Sequence, residues 1–151
     1  MASRGRGGGW VVAQFAVMAA TALLWLVPPH TDSLPVRVIG FALAGAGVLL
    51  FVSAYRALGR SFTAFPQPLS TGELVESGPF RLVRHPTYGG GLLLFAGVSL
   101  ALGLAGLIGT AALAVLWWRK SLVEERNLAA RFPGYPEYRA RVPRRFLPWL
   151  M

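Results

Sequence analysis

The chain alternates between long apolar runs and short polar segments. Residues 10 to 27 carry no charge and end at Pro28-Pro29-His30, and residues 36 to 55 carry only Arg37. A membrane-spanning helix needs about 20 mainly apolar residues, so each run is predicted to be one, with prolines ending the first. The short loop between them predicts an antiparallel hairpin. Residues 56 to 86 are polar and rich in Pro and Gly, which reads as a solvent-side or interfacial loop. Residues 87 to 118 form a third block without any charge. One helix through it would run roughly 48 Å at 1.5 Å per residue, well beyond a ~30 Å hydrocarbon core. With Gly103 and Gly106 near its middle, the block is predicted to fold back as a helical hairpin, 87 to 101 and 105 to 126. A single tilted helix is the alternative. Gly89-Gly90-Gly91 and Gly45 with Gly47 permit close helix contact.

Composition agrees with the pattern. Only 14% of the residues are charged and 54% are hydrophobic, against about a quarter charged in ordinary soluble domains. The net charge of +9 raises nucleic acid as a partner, but the basic residues flank runs too apolar for a soluble basic domain. Lipid headgroups and membrane orientation explain them better, so no nucleic-acid partner is expected. The absence of cysteine excludes disulfides, thiolate metal sites and a Cys nucleophile. With His30 and His85 the only histidines, a His-based metal site is not expected.

Arg4 and Arg6 before the first run resemble a secretory signal, but the run ends in prolines rather than a small-residue cleavage site, which favours a retained helix. Basic residues then set the topology. The N-terminal tail, the 56 to 86 loop (Arg56, Arg60, Arg81, Arg84) and the segment after Trp118 carry nearly all of them. The expected fold is an all-α integral membrane protein of about four transmembrane helices. It forms a single domain over 1 to 151, with an N-terminal helical hairpin (1 to 55), a core (56 to 151) and a cytoplasmic C-terminal tail. Localisation is expected to be multi-pass in the cell's inner or plasma membrane, with lipid as the bulk partner.

Two polar clusters stand out. One is the run Gly78-Pro79-Phe80-Arg81-Leu82-Val83-Arg84-His85-Pro86-Thr87-Tyr88-Gly89. The other is Arg119-Lys120 with Glu124-Glu125. The hairpin returns the second cluster to the face where the first begins, and acidic residues at the end of a membrane helix are costly unless solvated or paired. An ordinary interfacial boundary with salt bridges is the bland reading.

These clusters, followed by Phe132, Tyr135, Tyr138, Arg145 and Pro148, resemble the isoprenylcysteine carboxyl methyltransferase family and the related phospholipid N-methyltransferases, over roughly residues 56 to 149. The resemblance implies S-adenosylmethionine as methyl donor in a pocket at the cytoplasmic membrane face. It implies cofactor contacts from Leu74, Val75, Phe80, Arg84, His85, Pro86, Thr87 and Tyr88, with Glu124 and Glu125 on the donor's ammonium group and Lys120 with Glu124 as catalytic residues. One departure is Phe132-Pro133-Gly134, where relatives have Phe-Gly directly, which bears on the register of Tyr135 and Tyr138.

The residue chemistry suits those roles. Carboxylates suit an ammonium, and Arg84 or His85 suits a carboxylate. Aromatic faces at Phe80, Tyr88, Trp117 or Trp118 suit a cationic donor, although each also fits an interfacial aromatic belt. Pro86 is expected to start a helix whose free first-turn amides, at Thr87, Tyr88 and Gly89, receive the donor's carboxylate. A carboxylate acceptor, with a pKa of about 3.5, needs no general base, whereas an amine must first lose a proton. The scarcity of free bases favours O-methylation of a carboxylate on an isoprenylcysteine-like, amphiphilic or lipidated substrate. The alternatives are a phospholipid or amine N-methyltransferase, an NADPH-dependent sterol-type membrane reductase, and a non-catalytic scaffold or transporter part.

Overall fold

Helix boundaries follow from proline and glycine punctuation. The computed structural model describes residues 7–148, so Arg4 and Arg6 lie outside the described residues. Helix α1 is Gly8–Leu24, α2 Leu34–Leu58, α3 Pro86–Leu102, α4 Gly106–Arg131 and α5 Tyr135–Arg141, with short 3-10 turns at Gly59–Ser61 and Gly78–Arg81. Pro35 and Pro86 sit in the first turns of α2 and α3, where a missing N–H costs nothing. α2 stops at Gly59, whose φ of 48° suits glycine. α4 runs past the predicted residue 126 because Asn127 to Arg131 contain no breaker. It stops at Phe132, which precedes Pro133 and is extended (φ −119°, ψ 109°). The regular elements among the described residues are all helical, with an isolated bridge between His30 and Gly103. The hairpin over residues 87 to 126 is present, turning at residues 103–105.

The pairing of α1 with α2 differs from the sequence expectation. α2 packs chiefly on α3, and α1 chiefly on α4. The reason lies in which faces are small. A Cβ added at Gly47 would stand 2.5 Å from the Leu94 amide nitrogen and 2.6 Å from the Gly90 carbonyl, and one at Gly40 2.6 Å from the Gly97 carbonyl. Backbone therefore meets backbone along α2 and α3, which only glycine permits. Gly45, singled out with Gly47, meets nothing within 4 Å. α1 instead fills notches on α4: Thr21 packs onto Gly109 and Trp25 onto Gly106. Trp25 Nε1 also donates to Ser99 Oγ at 3.0 Å.

The bundle has two unlike ends. At one, Thr31 ties the 25–33 connection to the end of α3, donating to the carbonyls of Leu102 and Leu100. The other gathers the start of α1, the 59–85 segment, the end of α4 and the chain after Tyr135; Gly7 lies against Pro66 there. The flanks between are apolar: Val12, Leu26, Leu34, Ile39, Leu49 and Ile108 are all more than half exposed, a surface suited to lipid. The stretch Leu34–Ser61 is long and apolar enough to cross a membrane, while α1 and α3 are apolar but shorter.

Candidate functional site

The motif begins with a glycine turn. Gly78 has φ 59° and starts the 3-10 turn that buries Phe80. The Phe80 carbonyl accepts the Tyr138 hydroxyl at 2.8 Å, so α5 holds this turn. Arg84 and His85 then run beside the C-terminal segment, their amides donating to the Arg144 and Arg145 carbonyls at 3.0 and 2.7 Å. Pro86 opens α3 immediately afterwards. Gly89 lies so close to the Phe146 carbonyl that no side chain fits. The chain after α5 is thereby seated across the start of α3.

Glu125 lies behind this seam. Its Oε1 accepts from Arg84 Nε at 3.0 Å, Arg145 Nε at 3.0 Å and lies 3.2 Å from His85 Nε2, while Oε2 accepts from Arg145 Nη2 at 3.2 Å. Arg84 Nη1 also donates to the Val142 and Pro143 carbonyls at 2.8 and 2.6 Å. The group is buried, and the hydrogen bonds just described are all internal. Arg145 further lies over the Trp118 ring at 4.4 Å.

In front of the seam is a cavity of about 430 Å³, roofed by the 61–75 segment and lined by Leu74, Val75, Phe80, Arg84, His85, Thr87, Tyr88, Lys120 and Glu124. Glu124 Oε1 accepts the Tyr88 hydroxyl at 2.5 Å, and Oε2 lies 3.4 Å from His85 Nδ1. Lys120 Nζ donates to Gln14 Oε1 and to the Ala64 carbonyl, both at 2.7 Å, and stands 3.8 Å from Glu124 Oε1. Tyr88 stacks between His85 and Trp117, with ring centroids 5.7 and 5.3 Å away. Phe132, Tyr135 and Tyr138 add aromatic wall, so the extra Pro133 leaves all three at the cavity. The Trp117 Nε1 and Tyr135 hydroxyl, both on lining residues, are buried without a hydrogen-bond partner.

Charge states follow from these contacts. Burial by itself lowers the His85 pKa, but hydrogen bonds and charge from Glu124 and Glu125 outweigh it, and the net shift is upward. His85 is therefore biased to the imidazolium form, with a carboxylate at each nitrogen. Burial pushes the Tyr138 phenol up to about 12 and the Tyr135 phenol higher still, which keeps both as neutral donors.

Most of the residues expected at the site meet at one cavity, with three differences. Pro86 and Glu125 do not line it, and Glu125 instead binds Arg84, His85 and Arg145. Successive helical residues point about 100° apart, so the adjacent glutamates divide between seam and cavity. The Arg84 guanidinium is likewise turned to Glu125 and two carbonyls. The expected free amides at the start of α3 are largely taken, because the Tyr88 and Gly89 amides both donate to the His85 carbonyl at 3.1 Å. The backbone at His85 turns tightly enough to cap its own helix. Sequence reasoning assigned no chemistry to residues 1 to 55, yet Gln14 reaches Lys120. The available signal was a lone amide in an otherwise apolar run.

The phospholipid methyltransferase family profile matches residues 36–134, from the start of α2 to just before α5. No individually curated protein matches the chain closely enough to serve as a relative.

Proposed function

The chain belongs to the phospholipid methyltransferase family, whose members are S-adenosylmethionine-dependent methyltransferases, and we propose that its cavity holds that donor and methylates the carboxylate of a lipid-like acceptor. Membership sets aside the reductase and scaffold alternatives. Several features of the cavity fit the donor. Its volume lies within the usual range of about 300–1,000 Å³ for small-molecule sites. Glu124 lines it as a carboxylate with no cation at hydrogen-bonding distance among its lysine and arginine neighbours. The partnerless Trp117 Nε1 and Tyr135 hydroxyl are donors suited to ring nitrogens or carboxylate oxygens. When bound, the donor supplies an electrophilic methyl group on sulfonium, transferred by in-line displacement.

Glu124, oriented by Tyr88, holds the ammonium group of the donor. The faces of Phe80, Phe132 and Tyr138 enclose its flat and cationic parts. Holding two reactants in line is the main source of acceleration in such a transfer, and the residues here are fixed by packing on α3 and α4. The observation that carries the choice of acceptor is the lack of a spare base. Both His85 ring nitrogens face carboxylates, and Glu124 is committed to the donor. Lys120 lies beside the cavity, hydrogen-bonded to Gln14 and the Ala64 carbonyl, and suits an ionised acid that needs no deprotonation. The apolar part of the lining, from Phe15 and Met18 to Phe51 and Phe95, suits a hydrocarbon tail.

Four membrane spans with both ends cytoplasmic are proposed on the same footing. Among the described residues the lysine and arginines other than Arg37 lie at or near the end of the bundle that carries the cavity, in keeping with the orientation rule. A phospholipid amine is the second reading, favoured by the family's description. Purified protein with methyl-labelled donor and a panel of prenylcysteine, fatty-acid and phospholipid acceptors separates the two. Label released as methanol by mild alkali supports a methyl ester. Alkali-stable label on a phospholipid headgroup overturns the carboxylate reading.

A further inference from the structure

Lys120 and Glu124 stand one helical turn apart on α4, a spacing at which opposite charges normally pair. A direct ammonium–carboxylate bond would be about 2.7–2.9 Å. The observed separation is 3.8 Å. Two neutral acceptors hold the amine instead: Gln14 Oε1 on α1 and the Ala64 carbonyl in the roof of the cavity, each at 2.7 Å. Lys120 is 1% exposed and Gln14 8%, so water does not account for the displacement. Gln14 lies outside the matched family segment of residues 36–134.

We infer that Gln14 is a positioning residue that draws Lys120 away from Glu124 and so leaves the carboxylate open to the donor's ammonium group. The inference rests on the reading of the cavity given above. A neutral amide suits this task because it accepts one ammonium proton, as the Ala64 carbonyl accepts another, and adds no opposing charge. Lys120 stays with its two neutral acceptors, and the Glu124 carboxylate stays turned to the cavity. The Ala64 carbonyl alone leaves the amine free to swing. Without Gln14 Oε1, the nearest strong acceptor is Glu124 itself. An internal ion pair would then form where the donor's ammonium must enter, and the donor would have to break it. Through this contact α1, which also lines the cavity with Gln14, Phe15 and Met18, becomes part of donor recognition.

The test measures binding by calorimetry on the full chain in detergent, with S-adenosylmethionine and with 5′-methylthioadenosine, which lacks the amino-acid arm. Gln14→Met is expected to weaken S-adenosylmethionine binding at least ~10-fold, about 1.4 kcal/mol, and to leave 5′-methylthioadenosine binding unchanged. Adding Lys120→Met to Gln14→Met removes the competing amine, and affinity should return close to that of the unaltered protein. If Gln14→Met fails to fold, Gln14→Ser, too short to reach the amine, carries the same comparison. A Gln14 variant that binds S-adenosylmethionine as the unaltered protein does overturns the inference. So does a double variant that stays as weak as the single one, which marks Gln14 as a packing residue only. Unaltered protein that binds neither nucleoside overturns the reading of the cavity as well.

Discussion

Glu124 and Glu125 are neighbours in the chain, yet they serve opposite ends. Around Glu125 the charged groups are paired: two guanidinium groups, an imidazole, two backbone amides and four carbonyls close on one another across three segments. Around Glu124 the complement is incomplete. Its partners are a phenol, the second nitrogen of His85 and a lysine held just out of reach. On Trp117, stacked against Tyr88, is an indole N–H with nothing to bind. A network that is closed fixes a fold, whereas one with open positions is ready for a ligand. The comparison assigns Glu125 to the joining of α3, α4 and the C-terminal segment, and Glu124 to chemistry.

Replacing each glutamate is the most direct way to break that contrast. Glu125→Gln leaves Arg84, Arg145 and a charged His85 around a neutral amide, and stripping one partner from a buried ion cluster costs about 3–5 kcal/mol. The expected outcome is a large fall in unfolding midpoint in detergent, before any donor is added. Glu124→Gln should lower stability little, because Tyr88 can still donate to the amide oxygen. It should weaken donor binding by about 2–4 kcal/mol, read by calorimetry. Equal stability losses in the two variants would mean that both glutamates are structural.

How far the sequence revealed this division depends on the kind of contact. The turn at Gly103 was legible because a charge-free block too long for one span must fold back. The meeting of the Arg84–Tyr88 motif with Lys120 and Glu124 followed from that turn. The separation of Glu124 from Glu125 was not legible, since a pair of adjacent acids shows no phase until the helix is rotated against its neighbours. The capture of Arg84 by Glu125 depended on Arg145, which arrives from a segment twenty residues further on. The partner of α1 was hidden for a similar reason. Loop length suggests a neighbour, but the glycine faces of α2 and α3 and the notches at Gly106 and Gly109 decide it.

A milder change sharpens the picture within the cavity. Tyr88→Phe keeps the ring between His85 and Trp117 and deletes only the hydroxyl that orients Glu124. A hydrogen bond to a charged group contributes about 1.5–3 kcal/mol. Some of this returns when the freed carboxylate meets the donor, so the loss of donor affinity should be near the lower figure and smaller than for Glu124→Gln. Unfolding without donor should shift only slightly. An affinity equal to that of the unaltered protein would mean that Glu124 is oriented by other partners, His85 foremost.

The smallest expected effect is a pH dependence that crosses the boundary between the two regions. His85 bridges them, with Nε2 toward Glu125 and Nδ1 toward Glu124. Tyr88 stacks on one face, and Phe146 meets the ring edge-on. Its pKa in the folded protein is raised: burial pulls it down, and the two carboxylates more than restore it. A group raised on folding binds its proton more tightly in the native state. Its contribution to stability is therefore complete below the unfolded value of about 6.5 and is lost as pH rises through the folded value. The unaltered protein should become less stable as pH climbs above neutrality, and His85→Asn, which cannot titrate, should flatten that slope. The measurement is the unfolding midpoint against pH in one detergent. Donor binding offers a second readout, because losing the proton removes a cation from beside Glu124 and should not weaken its hold on an ammonium group. A slope that persists unchanged in His85→Asn would place the titrating group elsewhere and leave the imidazole a neutral spacer between the glutamates.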